Sequence, residues 1–244
     1  MTENLRDLCK QLRLAYVADV AEAETVEFTD PQDYLTRILS KEIELRESAK
    51  IERHLKRARF LENKTLSSYH WGQSIRLPHT VTKEQLEELD FIKSHQNLVL
   101  VGAPGTGKTH LASALGRRAC ERGYQVRFYR VSHLVEELEA AYHNGKLRAF
   151  RKKFDDIQLL VLDEMGYVPF SKEGAEILFQ LITEFYEKKS LIVTSNLEFS
   201  QWNRIFIDSR LTAALVDRLI HHAHVITYTG ESYRLTNALS RVTQ

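Results

Sequence analysis

The sequence predicts an α/β protein: a five-stranded parallel sheet with helices on both faces, preceded by a small all-α N-terminal module. Three observations carry this expectation. Five short, continuously apolar runs alternate with helical stretches after residue 96: NLVLV (97–101), QVRFYRV (125–131), IQLLVLD (157–163), LIVTSN (191–196) and HVITYT (224–229). Strands apolar on both faces belong to parallel sheets covered from both sides. No strand pattern interrupts residues 1–66, where the spacing is helical throughout. A glycine-rich loop joins the first strand to the helix after it, as phosphate-binding α/β folds require.

The elements follow in order. LRDLCKQLRL places Leu5, Leu8, Leu12 and Ala15 on one helical face. A longer helix opens at Asp30-Pro31 and carries Tyr34, Leu35, Ile38, Leu39, Ile51, Leu55 and Ala58. Residues 67–80, SSYHWGQSIRLPHT, break the periodicity with Gly72 and Pro78 and read as a linker. The expected division is therefore 1–66 and 67–244, within reach of a 244-residue chain that can bury one full core and a smaller one.

Composition narrows the class. No run approaches membrane-spanning length; LLVL at 159–162 is typical of the longest. The charged start MTENLRDLCKQLRL lacks the apolar core of a signal peptide. Cys9 and Cys120 stand in different modules, which argues against a disulfide framework and for a reducing cytoplasm. With 34 Lys and Arg against 33 Asp and Glu, the chain as a whole is not a basic nucleic-acid binder. Its charge is nevertheless patterned. Asp19, Glu22, Glu24, Glu27, Asp30 and Asp33 form an acidic tract, while Lys50, Arg53, Lys56, Arg57, Arg59 and Lys64 form a basic one.

The loop GAPGTGKT at 102–109 is a P-loop by pattern and by context. Gly102, Gly105 and Gly107, with Ala103, Pro104 and Thr106 between them, let backbone N–H groups converge on phosphates at the start of the next helix, Thr109-His110 onward. Lys108 suits the β- and γ-phosphates of ATP, and the Thr109 hydroxyl suits Mg²⁺. The strand IQLLVLDE ends in Asp163, a second Mg²⁺ candidate, followed by Glu164, placed to deprotonate a water. A phosphoryl-transferring kinase has no use for that second acid, so hydrolysis is favoured. Asn196, at the end of LIVTSN, is a candidate for positioning the same water.

GAPGTGKTHLASALG, LLVLDEMGYVPFSKEGAEILFQLITEFYEKKSLIVTSNLEFSQW and LTAALVDRLIHHAHVI resemble the IstB/DnaC group of AAA+ ATPases, and IstB-like transposition helpers in particular. The resemblance is strong over residues 68–235 and looser before them. It implies an ASCE-type sheet, with the Asn196 strand inserted between those carrying Gly102 and Asp163. It also implies a bacterial cytoplasmic homo-oligomer, a ring or spiral, whose sites are completed by a neighbour's arginine. Arg218 matches that finger and Arg210 is its reserve; Arg234 corresponds to a second phosphate-sensing arginine. Such a finger is worth about 10³–10⁵ in rate. Only a short tail follows the last predicted strand, so the helical lid of larger AAA+ proteins is nearly absent and the 67–80 linker is expected to close the adenine pocket.

From the residues alone, Lys50, Arg53, Lys56, Arg57 and Arg59 fit either a solvated helix face or a phosphate-binding one. The resemblance favours the second, with non-sequence-specific double-stranded DNA as partner. Lys146, Arg148, Arg151, Lys152 and Lys153 form a second basic cluster. His221, His222 and His224 read as the end of a helix entering a strand rather than as metal ligands. Tyr69 and Trp71 fit stacking on a base or simple packing of the linker. The resulting expectation is a Mg-ATP-dependent ATPase that oligomerises on duplex DNA and assists the transposase of its element. The alternatives are a loader of the replicative helicase, similar to DnaC, and an adaptor that holds ATP without hydrolysing it.

Overall fold

The computed structural model describes residues 4–23, 30–166, 169–206 and 208–233. The chain divides into two compact units, Met1–Arg53 and His54–Gln244.

The first unit is helical: α1 (Leu5–Gln11), α2 (Val17–Ala23) and most of α3 (Pro31–Ala58). Its core is Cys9, Val17, Ala18 and Ile38. Leu5, Leu8 and Leu12 are 45%, 38% and 69% exposed, so the leucine face expected of α1 points outward and Cys9 points inward. The reversal after α1 decides this. Arg13 adopts a left-handed conformation, and Leu14 N–H returns to the carbonyl of Cys9 at 2.7 Å, which turns that side of α1 toward α2. Glu42 pins the same turn. It is 2% exposed, accepts the N–H groups of Ala15 (2.7 Å) and Tyr16 (2.6 Å), and pairs with Arg46 Nε at 2.5 Å.

In the second unit α4 (Lys83–Glu87) and α5 (Asp90–Lys93) lead into β2 (Asn97–Gly102). Then follow α6 (Lys108–Glu121), β3 (Val126–Arg130), α7 (Val131–His143), α8 (Leu147–Arg151), β4 (Leu159–Met165), α9 (Lys172–Phe185) and β5 (Ser190–Ser195). The last elements are α10 (Asn203–Phe206), α11 (Ser209–His221) and β6 (Ala223–Tyr228). Among the described residues the sheet has six strands, not the five expected. The extra one is β1 (Ile75–Arg76), inside the supposed linker, paired antiparallel with β6 through Ile75–Tyr228 and Arg76–Thr227. Two residues are too few to display a strand period, so no pattern announced it.

The strand order is β1-β6-β2-β5-β4-β3, and every pair except β1–β6 is parallel. The strand bearing Asn196 at its end therefore lies between those bearing Gly102 and Asp163, as the family resemblance implied. Alternation splits the core in two. Val99, Leu160, Leu162 and Val193 pack under α7, α9 and α11, whereas Leu98, Leu100, Val161 and Ile192 pack under α6. Among the described residues no helix is long and apolar enough to cross a membrane.

Candidate functional site

β2 delivers the chain to Gly102 at the carboxyl edge of the sheet, and α6 starts six residues later at Lys108. Gly105 has φ +78°, and a Cβ there would lie 2.2 Å from Ser232 Oγ. Only glycine accommodates both that conformation and the crossing segment, whose Tyr233 N–H donates to Gly105 O at 3.0 Å. Thr106 Oγ1 donates to Ala103 O at 2.8 Å and closes the loop on itself, with Ala103 and Pro104 exposed. Lys108 is 8% exposed, and its ammonium donates to the carbonyls of Gly102 and Ala103, both at 2.7 Å. The cation is thus held beneath the loop by neutral acceptors that anionic phosphate oxygens can replace.

Thr109, in the first turn of α6, donates its hydroxyl to Asp163 Oδ1 at 2.8 Å. Thr194 donates to the same oxygen at 2.6 Å. Asp163 is 1% exposed, and burial pushes its carboxyl above the usual range against the downward pull of the two threonine hydroxyls. A hydroxyl and a carboxylate held together at the sheet edge are hard oxygen donors, the kind Mg²⁺ takes. This donor pair fits Mg²⁺.

The β4–β5 register shifts between Leu162 and Met165, and Glu164 sits in that irregularity with φ +62°. A bulge of this kind re-aims one side chain. Glu164 keeps its N–H bonded to Thr194 Oγ1 at 2.9 Å while its carboxylate stays 45% exposed, 3.5 Å from Arg130 Nε. Asn196 follows β5 directly and is half-buried. Thr194 and Arg130 were not singled out from the sequence. Thr194 is a hydroxyl that follows the apolar run Leu191–Val193 in a buried strand, and Arg130 a charge ending another; those were the available signals.

The linker packs on the loop through Tyr69 and its neighbours. Tyr69 lies edge-on to His110 with ring centroids 5.2 Å apart, and a Cβ on Gly107 would stand 3.6 Å from its Cε2. His110 Nε2 is 3.2 Å from both Ser68 Oγ and Thr65 O, so this ring faces residues 65–69. The Tyr69 and Tyr228 hydroxyls meet at 2.9 Å. Burial pushes Tyr69 up to about 12 and Tyr228 upward as well.

The remaining candidates lie elsewhere. Arg218 stacks over Phe179 of α9 at 4.8 Å, and its buried Nη1 has no hydrogen-bond partner among the described residues. Asn97, at the start of β2, bonds to Leu219 O and His222 O, so the end of α11 adjoins the sheet edge opposite the P-loop. Arg210 is exposed in the first turn of α11. Arg234 lies outside the described residues, as do Glu24 and Glu27 of the acidic tract. Lys50 and Arg53 are exposed in the first unit, where with Arg13 and Arg46 they line a cleft of about 420 Å³. Lys56, Arg57 and Arg59 are exposed in the second. In the other basic cluster Arg151 is tied to Glu184 at 2.9 Å and Lys153 covers Phe150 at 4.1 Å, while Lys146, Arg148 and Lys152 are exposed. His224 is occupied by Thr80 (2.9 Å) and Gln96 (3.0 Å).

Residues 6–240 match the family of IstB-like ATP-binding proteins. The chain belongs to that family, a family of AAA+ ATPases. Among similar proteins is one from Geobacillus stearothermophilus named as an ATP-binding protein of insertion sequence IS5376, 34% identical over 96% of this chain and 95% of its own length. Another, from Pseudomonas aeruginosa and named likewise for insertion sequence IS21, is 37% identical over 84% of this chain and 77% of its own. Among solved structures the DnaC helicase loader superimposes with TM-score 0.53 and 26% identity, over 68% of this chain and 97% of that one. AMPPCP-bound DnaA from Aquifex aeolicus shares the fold with TM-score 0.58 and 23% identity, and this chain spans 56% of its length. IstB-like family membership accounts for the transposable-element association and the AAA+ architecture together.

Proposed function

We propose that the chain is a Mg-ATP-dependent ATPase that assembles as a ring or spiral on double-stranded DNA and helps the transposase of the same insertion sequence use its target. The observation that supports the ATPase reading best is the convergence of Thr109, Thr194 and Asp163 on one oxygen beneath the glycine loop. Thr109 and Asp163 would hold Mg²⁺, which when bound supplies positive charge against the phosphates. Lys108 exchanges the Gly102 and Ala103 carbonyls for β- and γ-phosphate oxygens. Glu164 removes a proton from water as the water oxygen bonds the terminal phosphorus and the bond to the ADP oxygen breaks; Asn196 positions that water. The products are ADP and phosphate.

Arg218 serves the site of a neighbouring subunit. Its own P-loop lies at the far end of β2, and a six-residue strand spans about 20 Å. Lys50, Arg53, Lys56, Arg57 and Arg59 supply the phosphate contacts, which carry little sequence information. Family membership and the insertion-sequence names of the relatives support the transposition role. The likeness to DnaC supports a second reading, a helicase loader acting on single strands.

The test is ATPase rate with no DNA, with duplex and with single strands, with light scattering on the same samples. Large particles and faster hydrolysis with ATP and duplex support the transposition helper; a response to single strands alone moves the assignment to the loader. Glu164→Gln should retain assembly and lose hydrolysis.

A further inference from the structure

At the sheet edge away from the P-loop, the turn after α9 and the end of α11 bring together Glu187, His221 and His222. One ligating atom from each lies within 4.8 Å of the others, and all three side chains are exposed. In the sequence His221 and His222 read as the end of a helix entering a strand, and Glu187, which arrives from the turn after α9, is not visible beside them. We propose that Glu187, His221 and His222 form a binding site for a zinc-type divalent transition ion.

The geometry is close to what such an ion needs. Tetrahedral zinc with ligands at about 2.0–2.1 Å requires donor atoms about 3.3 Å apart. His222 Nε2 and Glu187 Oε1 are already 3.1 Å apart. The His221 ring stands 4.3 Å from that of His222, edge to face, so rotation of exposed rings closes the remaining gap. Outer-shell support is also present. The Tyr186 hydroxyl lies 2.9 Å from His221 Nδ1. With Nδ1–H donating to that oxygen, Nε2 presents its lone pair to an ion, the arrangement that orients metal-bound imidazoles elsewhere. His221 and His222 are the last residue and the C-cap of α11, so a cation here lies at the negative end of a 13-residue helix.

The donor set defines the ion. Two imidazoles and one carboxylate favour zinc, copper or nickel over Mg²⁺, whereas the hydroxyl and carboxylate of Thr109 and Asp163 favour the reverse. The chain thus carries two sites at opposite sheet edges that sort metals by chemistry. Zinc would link the turn after α9 to α11 one helical turn beyond Arg218, and so hold the two elements that meet through Arg218 and Phe179.

The test uses the full chain, stripped with chelator and free of nucleotide, titrated with Zn²⁺ against a chromophoric competitor and with Co²⁺ by visible absorption. One Zn²⁺ per chain is expected, with a Co²⁺ ligand-field spectrum. The double variant His221→Ala/His222→Ala should lose affinity at least a hundredfold, Glu187→Gln about tenfold, and Tyr186→Phe up to about tenfold through the outer shell. Metal-free melting of each variant should match the parent, since all three ligands are exposed. Equal Zn²⁺ uptake by the parent and the double histidine variant, or no stoichiometric uptake by the parent, overturns the proposal.

Discussion

Arg130 at the end of β3 reaches Glu164 on the adjoining strand, Nε to Oε2 3.5 Å, and so occupies the carboxylate proposed to activate water. Both side chains are 45% exposed. An ion pair in that setting is worth about 0–1 kcal/mol, which sets the size of its influence. Arg130→Ala should raise the basal ATPase rate by no more than about fivefold, the equivalent of that energy. Steady-state rates at saturating ATP decide it. A fall in rate would show that Arg130 assists the reaction instead of restraining Glu164.

Thr194 should matter to stability and site together. Its hydroxyl donates to Asp163 and accepts from Glu164 N–H. Thr194→Val keeps the shape and removes both bonds, for a cost of about 2 kcal/mol, since buried groups left unpaired each cost about 1–3. Urea unfolding measures this, and Thr194→Ser should recover most of the loss. A valine variant as stable as the parent would contradict the geometry.

Two buried carboxylates should respond to pH with opposite signs. Asp163 is raised above its ordinary 3.8 by burial, so its contribution is complete below that value and is lost as pH rises through the folded-state value. Asp163→Asn should therefore melt higher than the nucleotide-free parent at pH 7, with the gap closing toward pH 3.8, and should bind Mg-ATP poorly. Glu42 runs the other way. Burial pushes it upward, but the Tyr16 and Ala15 N–H groups and Arg46 together hold it below its ordinary 4.5. Its contribution is present above 4.5 and is lost as pH falls through the lower folded-state value. Amide NMR shifts of Ala15 and Tyr16 should report that loss, and Glu42→Gln should abolish the titration.

Arg218 can be tested by complementation. Arg218→Ala should bind ATP normally and hydrolyse it about 10³-fold more slowly. Mixing it with Glu164→Gln, itself inactive, should restore activity, because some interfaces then join an intact arginine to an intact glutamate. Failure of the mixture to recover would place the arginine's role within its own subunit.

The candidate site at the carboxyl edge of the sheet was largely legible in the sequence because each part declares itself locally. GAPGTGKT carries its glycines at fixed offsets, and LLVLDE shows an apolar strand ending in acids. What stayed hidden depends on contacts between distant segments. Thr194 gains its role only when β5 lies beside β4, and Arg130 only when β3 lies on the other side. β1 is two residues long and is a strand solely because β6 accepts it. Which face of α1 is buried was hidden for a related reason: in a seven-residue helix, the return of the chain at Arg13 outweighs the leucine spacing.

The order of strands has a consequence for the chain as it is synthesised. β2, which carries the P-loop, pairs with β5 and β6, and β6 begins more than a hundred residues later, at Ala223. The loop itself is crossed by the segment that reaches Tyr233. A nascent chain therefore exposes its most glycine-rich segment long before β5 and β6 can pair beside it, and the nucleotide cradle is completed only once the segment reaching Tyr233 has followed β6 out of the ribosome. Pairings this far apart in sequence are slow to form, and ATP itself, by binding only the finished cradle, would pull the newborn chain toward its native state.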